Sequence, residues 1–131
     1  MVKEYPKIKL VVPLPLSIND YLSDFESEKA KQKFHELLQI ADHIIYLPSD
    51  NDHETAYQNL GKFLTDECDT LIAIWDGEYS NKKGGTGEVV KMAIELTKPF
   101  YWVYCEQISK KPINSYDKKK RPGEIEIINN I

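Results

Sequence analysis

Two short motifs carry the residue types best suited to binding chemistry. Asp76-Gly77 closes the unbroken apolar run Thr70-Leu71-Ile72-Ala73-Ile74-Trp75. Gly84-Gly85-Thr86-Gly87-Glu88 opens the next amphipathic segment. Adjacent glycines let a backbone approach a ligand closely and turn its N–H groups inward. A helix starting there adds about half a positive charge at its first turn. Together they suit a phosphate or another anionic oxygen, with Thr86 donating a hydroxyl. Glu88, in the first turn, is placed to accept from ribose hydroxyls, and its other role is as a favourable first-turn carboxylate. Asp76 and Glu88 are also the two carboxylates available for catalysis. Neither GxxxxGK[ST] nor GxGxxG occurs, so the P-loop and the dinucleotide fingerprint are absent.

The elements that position these motifs follow from hydrophobic periodicity. Lys7 to Val12 reads as a strand closed by Pro13 and Pro15, because proline cannot donate to a ladder. Asn19 to Phe25 reads as a connection, and Ser23-Asp24-Phe25-Glu26 fits a capping box. Ala30, Phe34, Leu37, Leu38 and Ala41 then recur at helical spacing. His43 to Leu47 is a short strand, Ser49 to Asp52 a turn supplying N-caps, and Ala56, Tyr57, Leu60, Phe63 and Leu64 share a helical face. The run 70–75, apolar on both faces, predicts a parallel strand covered by helices on each side. Val89, Val90, Ala93, Ile94 and Leu96 mark a third amphipathic helix. Phe100 to Tyr104 follows as a strand. Strands and helices alternate through 104, which is the pattern of an α/β open sheet. Residues 1–106 are expected to form the domain. A loop and an edge strand at Glu124 to Ile128 make up 107–131. In such sheets ligands sit beyond the carboxyl ends of the strands, where Asp76 and the glycine turn meet.

Composition narrows the function classes. The chain has 131 residues, 41% hydrophobic and 29% charged, which suits one globular domain. A net charge of −4 disfavours a broad nucleic-acid-binding face. The basic run Lys118 to Arg121 reads as a solvated tail. No apolar run reaches the ~20 residues of a bilayer span, and the N-terminus lacks a signal-peptide core. No membrane association and a cytoplasmic address are therefore expected. Cys68 and Cys105 lack CxxC spacing and read as structural thiols. His35, His43 and His53 are scattered, so no metal is expected, and no cofactor. Trp75 and Trp102 read as core residues, and Tyr79 as a loop residue able to stack on a base. Asp20, Tyr21 and Asp24 follow the first strand end and could reach the ligand crevice. Asn51 and Asp52 read as helix caps.

"DTLIAIWDGEYSNKKGGTGEVVKMAIELTKPFYWVY", residues 69–104, resembles the distal half of the SLOG superfamily. That group includes the LOG phosphoribohydrolases and relatives of the DNA-processing protein A family. Upstream, "PLPLSINDYLSDF", "FHELLQIADHIIYLP" and "AYQNLGKFLTDECDTLIAIWDG" fit as well, so the resemblance covers roughly 8–105. It implies a Rossmann-like three-layer α/β sandwich with a mostly parallel sheet. It also implies a pocket for nucleotides or nucleotide-derived phosphoribosyl ligands. Several relatives are sensor modules in bacterial anti-phage systems. By motif, Gly84, Gly85, Thr86 and Gly87 would hold phosphate, with Glu88 near the ribose. The same stretch is similar to nucleoside 2-deoxyribosyltransferases, in which the Asp after the strand, here Asp76, contacts the sugar.

The chain departs from the LOG pattern in two ways. No proline precedes Gly84, and the only arginine is Arg121. Such folds also begin with a central strand and a glycine-containing loop, and by the resemblance this sequence is expected to start at the second strand, as a fragment or a short family variant. A missing strand would leave open sheet edges that invite pairing with another chain, as in a homodimer. The sequence reading favours binding or sensing of a nucleotide-type small molecule. The alternative is hydrolysis or (deoxy)ribosyl transfer at an N-glycosidic bond. That chemistry needs a carboxylate near the anomeric carbon and an acid for the departing base, and no His or Arg is placed to assist.

Overall fold

The computed structural model describes residues 8–48, 52–79, 83–106 and 121–128. The chain is a mixed α/β protein with two small sheets. Elements run in the order β1 (Val11–Leu14), α1 (Ile18–Ser23), α2 (Glu28–Ile40), β2 (His43–Tyr46), α3 (His53–Glu67), β3 (Leu71–Trp75), α4 (Thr86–Glu95), β4 (Phe100–Tyr104) and β5 (Ile125–Ile128). Two compact units divide the chain at Ala56/Tyr57. The strands therefore lie in two sheets where the alternation predicted one.

In the first unit β1 pairs with β2 in parallel, Val11 opposite His43 and Leu14 opposite Tyr46. The strand is shifted from its expected span and includes Pro13. The Leu10 and Leu14 carbonyls accept from β2, at 3.3 Å from His43 N–H and 3.0 Å from Leu47 N–H. Even-numbered residues thus face the partner strand, and the proline nitrogen lies on the other edge, where no ladder bond is lost. The chain then forms α1 where a connection was expected. Ser17 caps it, its hydroxyl accepting from Asp20 N–H at 3.2 Å. Ser23 ends α1 instead of opening α2, so the Ser-x-x-Glu reading is corrected. Ser27 caps α2, accepting from Ala30 N–H at 3.1 Å. Leu14, Pro15, Leu16 and Phe34 are buried. Tyr21, Phe25 and Phe34 meet edge to face, with centroids 5.0–5.4 Å apart, a geometry worth about 0.5–1.5 kcal/mol per pair beyond area burial.

The second unit holds a three-stranded sheet in the order β3-β4-β5. β3 and β4 are parallel, joined by α4, and β5 returns antiparallel on β4. Val90 and Ala93 of α4 are fully buried against Leu71, Ala73, Trp75 and Phe100. Burying each large apolar side chain here contributes about 1.5–3 kcal/mol. β5 agrees with the edge strand expected from the alternation of Glu124 to Ile128. β3 does not match its expectation. Its burial alternates, with Leu71, Ala73 and Trp75 covered and Ile72 and Ile74 open, so only one of its two apolar faces is covered. Among the described residues no helix is long and apolar enough to cross a membrane. The lysines of the 118–121 basic run lie outside the described residues.

Candidate functional site

The candidate site lies at the carboxyl end of β3. Trp75 is the last strand residue, and Asp76 turns the chain by accepting Glu78 N–H on its Oδ1 at 2.9 Å. This closed loop is an Asx-type turn. Gly77 adopts φ +87°, and a Cβ there would stand 2.8 Å from the Trp102 ring, so only glycine fits. The Trp75 indole N–H donates to Glu78's carbonyl at 3.0 Å, which pins the far side of the turn. Trp75 also packs against Trp102 and Tyr79, with ring centroids 5.2 Å and 5.0 Å away. Lys91 Nζ sits 5.0 Å over the Tyr79 ring, a cation–π contact that holds the exposed tyrosine against α4.

The glycine turn meets this loop. Gly85 is the N-cap of α4 with extended backbone (φ −83°, ψ 169°) and offers no side-chain cap to the helix. Gly84 before it has φ +81°. Its first turn closes by Glu88 N–H donating to Gly85's carbonyl at 3.1 Å. A Cβ at Gly87 would lie 3.2 Å from Glu78 O and 3.3 Å from Tyr79 Cα. The loop from Asp76 to Tyr79 therefore runs directly against the start of α4, and the two motifs share one end of the sheet.

Gly84, Gly85 and Thr86 also form one wall of a cavity of about 340 Å³. Its other walls are Tyr57, Leu60 and Leu64 of α3 and the strand residues Leu71 to Ile74. The cavity is apolar apart from the turn, with a helix N-terminus at one side. Its volume lies at the lower end of the small-ligand range. Of the residues singled out from the sequence, Gly84, Gly85 and Thr86 line it. Asp76, Gly77, Gly87 and Glu88 stand beside it in the adjoining loop and first helical turn. Glu88's Oε1 is buried without a hydrogen-bond partner, a rare condition in proteins, whose buried polar atoms are nearly always paired.

Outside this site the structure joins His53 and Asp24, Nδ1 to Oδ2 at 2.7 Å, in the first unit. The pair is 29 residues apart in sequence, and no local spacing announces it. Asp24 and burial together raise the Tyr21 hydroxyl's pKa, burial being the larger cause. Asp52 acts as expected at the start of α3, taking Glu54 N–H at 3.3 Å and the Thr55 hydroxyl at 2.6 Å. Asn51 lies outside the described residues. Cys68 and Cys105 are free, half-buried thiols. Among the described residues, no cluster of three or more His, Cys, Asp or Glu side chains could hold a metal ion.

No protein-family model, curated protein or solved structure matches this chain.

Proposed function

We propose that this chain binds a nucleotide-type small molecule, with an anionic group on the Gly84–Gly87 turn and the apolar portion against α3. The reading adopts a Rossmann-like frame and groups the chain with the SLOG nucleotide binders that residues 69–104 resemble. One observation carries it: a helix start with no side chain at Gly84 and Gly85 and a hydroxyl at Thr86 forms a wall of an otherwise apolar cavity. A phosphate there would accept from backbone N–H groups and lie in the favourable end of the α4 dipole. Glu88, whose buried Oε1 lacks a donor, stands beside the cavity in the first turn of α4, and a sugar hydroxyl could supply that donor only if the Glu88 side chain swung toward the turn. Asp76 takes part in its own turn, a structural role that binding leaves undisturbed.

The test is calorimetric titration of the full chain with AMP, ADP and inorganic phosphate. Gly85→Val, which puts a branched side chain in the cradle, should abolish binding of phosphate-bearing nucleotides. Thr86→Ala should weaken it by about tenfold, the loss of one hydroxyl hydrogen bond. Equal binding of one nucleotide by the wild type and Gly85→Val would remove the glycine turn as the anion site.

A further inference from the structure

Among the described residues of the second unit, one face of the sheet is left largely open, with α3 reaching it only where Ile72 and Ile74 line the cavity. The β3–β4–β5 register sets Ile72, Tyr101 and Ile127 in one row and Ile74, Val103 and Ile125 in the next. Side chains alternate along a strand, so these six share the face opposite Leu71, Ala73 and Phe100. Ile72, Ile74, Ile125 and Ile127 are 65%, 64%, 62% and 63% exposed, and Tyr101 is 41% exposed. Among the described residues of its three strands, this face holds no charged side chain. Open faces and edges of β proteins usually carry charges that prevent association, and here that protection is missing.

We propose that this face is the interface of a homodimer, in which two copies pack sheet on sheet. The arrangement of the patch favours a copy of itself. Isoleucine pairs on the two outer strands flank the Tyr101 and Val103 of the central strand almost symmetrically. A two-fold axis running along β4 between the sheets therefore sets Ile72 over the partner's Ile127 and Ile74 over the partner's Ile125. That is an isologous contact, closed by its own symmetry. Two sheets meeting this way stand about 10 Å apart with their side chains interleaved. The exposed surface of these residues is on the order of 500–600 Å² per copy, so complete pairing would remove at most roughly 1,100 Å², which is of the ~1,000 Å² size that separates stable interfaces from incidental ones. The interface and the cavity share Ile72 and Ile74, whereas Tyr101, Ile125 and Ile127 line no part of the cavity, so substitutions at the last two test the dimer apart from the nucleotide reading.

Sedimentation equilibrium of the full chain between 1 and 200 µM tests it, with the Ile125→Lys/Ile127→Lys double variant alongside. Both substitutions leave the cavity and the buried face untouched. The wild type is expected to sediment at twice 15.2 kDa, and the variant at the monomer mass with an unchanged circular dichroism spectrum. If the variant loses its spectrum, the milder Ile127→Thr, which keeps a β-branched residue, is expected to raise the dimer dissociation constant at least tenfold. A wild type that stays monomeric at 200 µM overturns the proposal, whether another protein or another part of the same chain covers the face. So does a folded double variant that remains dimeric.

Discussion

The indole N–H of Trp102 donates to the backbone carbonyl of Trp75 at 2.9 Å, tying β4 to the last residue of β3 where the site loop departs. The same carbonyl accepts Cys105 N–H at 3.1 Å, so the strand end is held twice. Trp102→Phe keeps an aromatic ring but removes the N–H donor and part of the ring packed on Trp75. It should destabilise the protein by about 1–3 kcal/mol, the lost hydrogen bond plus the lost packing. Urea denaturation followed by Trp75 fluorescence measures it.

Gly77 and Gly123 make a matched pair for separating strain from collision. Both have positive φ, +87° and +85°, but a Cβ at Gly123 meets nothing within 4 Å. Gly123→Ala should cost about 1 kcal/mol, the strain of the left-handed region alone. Gly77→Ala adds contact with the Trp102 ring and should cost about 2–3 kcal/mol. Equal shifts in denaturation midpoint would mean that the Trp102 ring moves aside freely.

Glu88→Gln separates binding from structure. It neutralises a buried, unpartnered carboxylate, which favours the folded state, and removes a first-turn negative charge, whose loss disfavours it. Stability without ligand should therefore change by less than about 0.5 kcal/mol, while nucleotide affinity falls about tenfold. A matched loss of stability would identify Glu88 as a structural residue.

Incubation of micromolar protein with AMP or a deoxynucleoside is expected to leave the substrate intact. Release of free base, abolished by Glu88→Gln, would replace the binding reading with N-glycosidic cleavage.

Tyr21 gives the first unit an alkaline limit. Burial, reinforced by Asp24, raises its pKa above the ordinary value near 10. The folded state then holds the proton more tightly than the unfolded state. Its contribution is complete below pH 10 and is lost as pH rises through the raised value. Tyr21→Phe should flatten the fall in stability above pH 10, as read by denaturant titrations at pH 8 and pH 11.

Local signals carried much of this fold into the sequence. α2, α3, α4 and β3 to β5 follow from periodicity, and the two site motifs sit where a strand end and a helix start predict. The misreadings came from features that local pattern does not encode. Pro13 looked like a stop because the edge its nitrogen faces depends on which neighbour β1 chooses. Ser23 and Ser27 both suit caps, and the aromatic packing of Tyr21 and Phe25 on Phe34 goes with a helix ending at the first and starting after the second. The apolar run 70–75 announced burial on both faces, but a side chain's hydrophobicity states only a preference for cover and does not supply it. The His53–Asp24 pair and the cavity wall from α3 are tertiary products with no sequence spacing to reveal them.

Asp52 binds Glu54 N–H and the Thr55 hydroxyl, and Ala56 N–H donates to its carbonyl at 3.0 Å, while the division between the two units falls one residue later. The seam thus runs through the opening turn of a helix and not through a linker. A fragment designed to carry the cavity but begun at Tyr57 would start on an uncapped helix with frayed N–H groups, and Tyr57 itself is a cavity wall. Domain dissection or limited proteolysis has no neutral cut at this boundary, because cleavage within the turn would unwind the wall against which the ligand is proposed to rest, and cleavage ahead of it would part His53 from Asp24.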